Sequence, residues 1–233
     1  MPRMSFSLLA VLSFAAVTAL PFAVEGTAHA EDATPAGDAS VDSVVDGMQN
    51  FYDGSQSFCA KFTQTFKVKA HGREDKSSGD VVFRKDGGKM RFKYSNGNHV
   101  VTDGHKVKVF QKNDRQLFVK SIEKSQFPVL DFLRGKGKLR DSFNFTINAP
   151  MTEKFKNGYV LEGSPKNDAP EYKKVFFYVD KATNQMRRVV ILDAHGNRNQ
   201  MNFESPRLNC RTNDGDFEFT PPKDTNVVEG DSN

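Results

Sequence analysis

The sequence predicts a mainly β protein built on a curved antiparallel sheet. Residues 79–111 read GDVVFRKDGGKMRFKYSNGNHVVTDGHKVKVFQ, where apolar and basic side chains alternate with the period of half-buried strands. Turns at Asp86–Gly88, Asn96–Gly97 and Asp103–Gly104 supply the positive φ angles that tight hairpins require. Long helical stretches do not separate the strand candidates, so we do not expect a parallel sheet with crossover helices.

The first 30 residues match the pattern of a cleaved secretory signal. Arg3 gives a positive start, Leu8–Val24 is apolar, and Ala28–Ala30 fits a small-residue cleavage site. Glu31 stands where a lipid-modified protein would carry a cysteine, so we expect a soluble, exported protein without a lipid anchor. The expected organisation is a signal peptide over 1–30, a flexible leader over 31–39 and a single domain over 40–230.

Two short helices are predicted after the signal. Ser40 caps the first and Gly54 ends it, and between them runs one apolar stripe of Val41, Val44, Val45, Met48, Phe51 and Tyr52. The second is an insert at Phe127–Gly135, with proline near its start and glycine at its end. Apolar side chains cover most of its circumference, which suits either a plug buried in the sheet or a lid that opens.

About ten strands are predicted, nearly all joined by short turns. In the first, an apolar face formed by Phe58, Ala60, Phe62, Phe66 and Val68 is interrupted by Gln64. In the central block, Met90, Phe92 and Tyr94 share one face while Lys89, Arg91 and Lys93 share the other. The further strand candidates are Arg115–Ile122, Phe143–Ala149, Tyr159–Gly163, Lys173–Asp180, Met186–Leu192, Asn199–Glu204 and Phe217–Thr220.

Cysteines and charge constrain the environment of the protein. Cys59 and Cys210 would form a disulfide in an oxidising compartment, and two buried free thiols are the alternative. The net charge of +4 is spread along the strands, which is typical of a solvated outer face. Attraction to anionic membrane surfaces is the other interpretation, and an exported protein is not expected to bind nucleic acid.

The sequence carries no motif of an enzyme, and we expect neither catalytic residues nor a cofactor nor a metal site. It lacks a nucleophile elbow, a phosphate-binding or dinucleotide-binding glycine loop and a zinc-binding HExxH motif. It is instead rich in phenylalanine, with 21 Phe against 5 Tyr and no Trp. These rings either fill a packed core or line a cavity for acyl chains. A chain of ~14 methylenes gains about 11 kcal/mol on leaving water, at about 0.8 kcal/mol per CH₂.

The order and spacing of several short segments resemble the outer-membrane lipoprotein carrier family, LolA, across nearly all of the expected mature chain. The segments are Phe58–Gln64, Gly79–Lys85, Lys89–Tyr94, Val101–Gly104, Pro128–Leu133, Asp193–Asn197 and Phe217–Pro222. The resemblance implies an unclosed, strongly curved antiparallel β-barrel, a half-barrel, covered by a few α-helices with an apolar cavity between them.

The resemblance also implies a task without covalent chemistry. A periplasmic carrier of this kind is a monomer that takes acylated lipoproteins from an inner-membrane ABC transporter and passes them to an outer-membrane receptor. Two other functions fit the same scaffold, namely a regulatory module that senses lipid or protein and a carrier of another lipid class, such as glycolipids or hopanoids.

Site residues follow from alternation and from the resemblance. The expected cavity wall is Phe62, Phe66, Phe83, Met90, Phe92, Tyr94, Val107, Val109, Phe145, Phe177 and Phe203. The expected lid residues are Val129, Leu130, Phe132 and Leu133. In the family an arginine followed by proline latches the lid through backbone carbonyls; its place here holds Lys85, with Asp86 where proline is usual, so Arg84 and Arg91 are further latch candidates.

Overall fold

A computed structural model describes residues 39–122, 128–167 and 172–230, and the predicted signal peptide lies outside this part of the chain, as does nearly all of the predicted leader. The described residues are mainly β. Their strands are β1 (Ser57–Lys67), β2 (Glu74–Arg84), β3 (Lys89–Tyr94), β4 (His99–Thr102), β5 (Lys106–Gln111), β6 (Gln116–Ser121), β7 (Phe143–Ile147), β8 (Gly158–Pro165), β9 (Lys174–Asp180), β10 (Met186–Leu192), β11 (Arg198–Leu208) and β12 (Asn226–Gly230). The α-helices are α1 (Val41–Asp53), α2 (Pro128–Leu133), α3 (Leu139–Ser142) and α4 (Ala149–Lys154).

All twelve described strands belong to one sheet in the order β12-β6-β5-β4-β3-β2-β1-β11-β10-β9-β8-β7. The sheet does not close, because β12 and β7 are its two edges. Every pair of neighbours is antiparallel except β12 and β6, which are parallel. The predicted fold class, an unclosed and largely antiparallel sheet with a few helices, is confirmed.

Helix α1 forms where the sequence predicts it and seals one side of the sheet. The Ser40 hydroxyl accepts a hydrogen bond from the Ser43 amide at 3.1 Å, which satisfies one of the free N–H groups of the first turn. The apolar stripe buries Val44, Val45, Met48 and Tyr52 against the inner face of the sheet. The helix ends at Gly54, as the sequence indicates. Helices α3 and α4, of four and six residues, were not predicted, because so short a segment shows no helical period.

The glycine turns of the central block adopt the predicted positive φ angles. Gly97 has φ 87° and Gly104 has φ 101°. At Gly104 an added Cβ would lie 1.8 Å from the carbonyl oxygen of Gly87, so the two turns touch where only glycine fits. The turn Asp86–Gly88 and the turn at Gly104 therefore sit side by side at one end of the sheet.

The predicted strand at Phe217–Thr220 is wrong. Residues Asp214–Phe217 form a 3₁₀ turn that begins with a reciprocal cap. The side chain of Asn213, which precedes the turn, accepts from the Asp216 amide, and the Asp216 carboxylate accepts from the Asn213 amide. Phe219 then packs with ring centroids 4.9 Å from Phe110 on the outer face of the sheet. This turn chemistry outweighs the alternation of Phe217 and Phe219, and the last strand of the described chain comes later, at β12.

The segment after β11 is fastened to the start of β1. Cys59 and Cys210 form a disulfide with their Cα atoms 6.2 Å apart. The Asn209 amide donates to the Ser57 carbonyl at 2.9 Å, and the Ser57 hydroxyl donates to the Cys210 carbonyl at 2.7 Å. From there the chain crosses the outer face of β3 to β5 and reaches the edge strand β12, parallel to β6.

Candidate functional site

An apolar cavity of about 50 Å³ lies between the sheet and helix α2. Three of its wall residues, Val129, Leu130 and Leu133, come from α2. The remainder of the wall comes from β3 and β4, from β9 to β11 and from Tyr172, and comprises Phe92, Tyr94, Val100, Tyr172, Val175, Val189, Ile191, Asn199, Met201 and Phe203. Helix α2 therefore forms one wall of the cavity.

The predicted wall residues point inward, but only some of them reach the cavity. Phe92, Tyr94 and Phe203 line it. The core that packs around the cavity contains Phe62, Phe83, Met90, Val107, Val109 and Phe177, with Phe145 half-buried against it. Phe66 is buried near the end of β1, outside that core. Alternation predicted the face of each residue, but it could not separate cavity wall from core. Seven wall residues were therefore missed: Val100, Tyr172, Val175, Val189, Ile191, Asn199 and Met201.

Helix α2 is seated through its apolar side chains. Val129, Phe132 and Leu133 are buried, and Leu130 is half-buried against the core. The Phe132 ring does not line the cavity; it packs edge-on against Tyr52 of α1, with ring centroids 5.1 Å apart. The Tyr52 hydroxyl in turn accepts from the Met186 amide at 3.1 Å, and burial raises the pKa of Tyr52 far above its ordinary value. Phe132 thus connects α2 to α1.

A buried arginine holds the end of α2 to the sheet. Arg134 follows the helix directly and is 3% exposed. Its guanidinium donates to the Gly88 carbonyl of the β2–β3 turn at 3.0 Å and also bonds the Asp131 carboxylate one turn back. The Arg134 Nε is buried without a hydrogen-bond partner among the described residues. Nothing in the sequence marks this residue as functional, because an arginine after a short helix has the ordinary pattern of a C-terminal cap.

The three predicted latch residues bond other parts of the molecule. Lys85 Nζ donates to the carbonyls of Tyr52 at 2.5 Å and Asp53 at 3.0 Å, at the carboxyl end of α1. Burial lowers the pKa of Lys85, and the charge of Asp53 opposes that shift. Arg84 pairs with Asp214 and Arg91 with Asp216, so both hold the C-terminal segment rather than α2. Their role as a latch remains a prediction.

One polar group interrupts the inner face beside the cavity. Gln64 is 2% exposed, and its carbonyl oxygen accepts from the hydroxyls of Tyr94 at 3.0 Å and Ser77 at 3.3 Å. Its amide nitrogen donates to Asn199 Oδ1 at 2.9 Å. Burial raises the pKa of Tyr94, so this hydroxyl is a neutral donor. Tyr94 and Asn199 are both wall residues of the cavity, whose surface is almost wholly apolar.

Two other features, a metal site and a membrane-spanning helix, are absent from the described part of the chain. Residues 39–122, 128–167 and 172–230 contain no group of three His, Cys, Asp or Glu side chains that could hold a metal ion. None of the helices in these ranges has the length and apolarity needed to cross a membrane. Among the described residues, the apolar cavity under α2 is the candidate functional site.

Several solved structures are similar to this chain over most of its length. An uncharacterised protein of Thermus thermophilus matches over 81% of this chain and 98% of its own, with 13% identity and a TM-score of 0.51. A LolA superfamily protein of Nitrosomonas europaea matches over 78% of this chain and 99% of its own (13% identity, TM-score 0.42). A chain of the MucA/MucB complex of Pseudomonas aeruginosa matches over 77% of this chain and 61% of its own (12% identity, TM-score 0.43).

Sequence comparison identifies the family. No curated protein sequence matches the chain significantly. The family described as outer membrane lipoprotein carrier protein LolA matches residues 53–220, which run from the end of α1 past the 3₁₀ turn that follows β11. The chain therefore belongs to the LolA family.

Proposed function

We propose that this protein is a carrier that shields the acyl chains of lipoproteins in the cavity under α2. The observation that carries the proposal is the position of that cavity, with an apolar sheet on one side and a short apolar helix on the other. Each buried CH₂ of an acyl chain contributes about 0.8 kcal/mol. A water-soluble protein can hold such a chain only by offering it an apolar wall of this kind.

The size of the cavity requires α2 to move when cargo enters. About 50 Å³ accommodates a few water-sized groups, whereas an acyl chain has well over ten carbon atoms. Helix α2 is the wall element that does not belong to the sheet, and it is followed by a turn at Gly135, with φ 73°. Its movement would enlarge the cavity without breaking the sheet. We therefore propose that α2 is the lid of the carrier.

We further propose a route by which the protein and its lipoprotein cargo reach the outer membrane. The protein would be exported, lose residues 1–30 and work as a monomer in the periplasm. It would accept acylated lipoproteins from an inner-membrane ABC transporter and deliver them to an outer-membrane receptor. Neither a cofactor nor a catalytic step is part of this function, because transfer requires only that the cavity bind acyl chains and then release them.

The test is a release assay. Purified protein comprising residues 31–233 is incubated with spheroplasts that are making a labelled lipoprotein, and the soluble fraction is examined for a one-to-one complex. Leu130→Glu places a carboxylate in the cavity wall and should abolish release. Phe155→Glu introduces a carboxylate directly after α4, where Phe155 packs on the outer face of the sheet, and should leave release intact. Absence of release, together with tight capture of another lipid class, would refute the lipoprotein assignment.

A further inference from the structure

Gln64 stands at a position where the sheet pattern calls for an apolar residue. It lies on β1 between Phe62 and Phe66, and all three are buried on the inner face. A buried amide costs free energy unless its groups are paired. Two partners of Gln64, Tyr94 and Asn199, line the cavity. The polar group is therefore part of the cavity wall rather than an isolated substitution in the core.

The hydrogen bond from Gln64 orients the Asn199 side chain and leaves its amide nitrogen, Nδ2, unpaired. Because Gln64 Nε2 donates to Asn199 Oδ1, the Asn199 carboxamide turns its Nδ2 away from Gln64. Within the described chain, Asn199 Nδ2 has no hydrogen-bond partner, although the residue is half-buried and lines the cavity. The Gln64 carbonyl already accepts two hydroxyls and so has no capacity left. Asn199, a residue of the cavity wall, thus keeps an unpaired N–H donor.

An acceptor without a partner lies on the other side of Phe66. Asn199 and Asp75 are the cross-strand neighbours of Phe66 on β11 and β2, so they are separated by about 10 Å, twice the spacing of strands. Arg73 donates to Asp75 Oδ1 from two nitrogens, at 3.1 and 3.0 Å. Asp75 Oδ2 is buried and has no partner among the described residues. Phe66 and Asp75 are not wall residues of the cavity, so this acceptor lies beside the cavity, whereas Asn199 belongs to its wall.

We infer that Asn199, with Gln64 as the positioning residue, recognises the polar head of the acyl chains, that is, the carbonyls of the ester and amide groups through which they join the lipoprotein. This inference rests on the proposed function. The carbonyl of an ester or amide loses its water on entering the cavity and needs a donor, which Asn199 Nδ2 supplies. The apolar wall then contacts hydrocarbon alone.

The experiment compares two synthetic lipopeptides. Both carry palmitoyl on the amine of an N-terminal cysteine; one bears two ester-linked chains on the glyceryl group and the other bears two ether-linked alkyl chains, which lack the ester carbonyls. The unaltered protein should bind the ester form about 3–10-fold more tightly, the range of one hydrogen bond. This comparison needs no variant and so does not depend on any change in folding.

Two matched variants then locate the preference. Asn199→Asp keeps the acceptor for Gln64 and removes the free N–H donor, so the preference for the ester form should disappear. Gln200→Glu makes the same amide-to-acid change one residue along β11, on the opposite face, and should preserve the preference. Equal affinity of the unaltered protein for both lipopeptides, or a preference that survives in Asn199→Asp, would show that the cluster only stabilises the sheet. Failure to bind either lipopeptide would instead overturn the proposed function itself.

Discussion

At the scale of single residues, Arg134 provides the polar link between α2 and the sheet. Its guanidinium is nearly fully buried and bonds the Gly88 carbonyl at 3.0 Å. The Lys85 side chain also lies beside the end of α2, since an added Cβ at Gly135 would lie 2.8 Å from Lys85 Cγ. Its ammonium, however, donates to a carbonyl of α1. A guanidinium can serve a carbonyl and a carboxylate together because its donors diverge in one plane.

Replacing Arg134 should loosen α2. In Arg134→Met the Gly88 carbonyl and the Asp131 carboxylate lose their partner, and a hydrogen bond to a charged group contributes roughly 1.5–3 kcal/mol. Amide hydrogen exchange in residues 129–133 should become about 10–100-fold faster. Lys138→Met removes a cation from an exposed position nearby and is the control. Unchanged exchange in Arg134→Met would show that apolar packing alone retains α2.

A second prediction at this scale concerns acid stability. Lys89 and Arg84 hold the pKa of Asp214 at about 2, below its ordinary value of about 3.9. Because the unfolded chain takes up the proton first, Asp214 stabilises the fold fully above about pH 4 and loses that effect as the pH falls towards 2. The difference in free energy of unfolding between the native protein and Asp214→Asn should therefore shrink over that interval. Urea denaturation at several pH values measures it, and a constant difference would contradict the assignment.

At the scale of elements, α2 and the C-terminal segment cover opposite faces of the sheet. Helix α2 lies over the inner face, where it meets apolar side chains from β3, β4 and β9 to β11. The segment around Asp214–Phe217 lies over the outer face, where Asp214 and Asp216 meet the basic side chains of Arg84, Lys89 and Arg91. The apolar residues of β3 thus face α2, and its basic residues pair with the acidic C-terminal segment.

Phe132→Glu tests the lid at the scale of the helix. A carboxylate cannot stay at a site that is 2% exposed beside the Tyr52 ring, so α2 should leave its seat while the sheet remains. Retention of a fluorescent fatty acid should fall at least 10-fold, with the circular dichroism of the sheet unchanged. Phe219→Glu, on the outer face, is the control and should retain the probe. Unchanged retention in Phe132→Glu would show that the helix is a structural plug.

At the scale of the whole molecule, one long sheet forms most of the cavity wall, and a disulfide is attached near its middle. The disulfide joins β1, a central strand, to the segment that crosses to the far edge. The two cysteines are 151 positions apart in sequence, so the bond restricts most of the unfolded chain. It also sets the point from which the C-terminal segment starts.

Removing the disulfide should destabilise the domain without changing its fold. The double variant Cys59→Ser with Cys210→Ser should lower the free energy of unfolding by roughly 2–5 kcal/mol. Urea denaturation of the native protein and the variant measures the difference, and the m-values report any change in the compactness of the unfolded chain. A midpoint equal to that of the native protein would mean that the pairing of Asn209 with Ser57 suffices to hold this segment.

Prediction from the sequence succeeded where local rules act and failed where distant parts meet. The hairpins, α1, α2 and the inward face of β3 follow from turn glycines, caps and periodicity, which concern neighbouring residues. Strand β12 was missed because Asn226–Gly230 is short and exposed and gains its pairing only from β6. Arg134 was missed because its partner Gly88 is 46 positions away.

The sequence by itself determined the class of fold, the two-faced strands and a short apolar helix within Phe127–Gly135. It also determined that an amide, Gln64, interrupts an apolar face. Only the tertiary structure decided which apolar residues face a cavity, because side chains on one face of a strand differ only in what lies opposite them. The same holds for the polar groups: Gln64, Tyr94 and Asn199 come from three strands, and the curvature and register of the sheet bring them together.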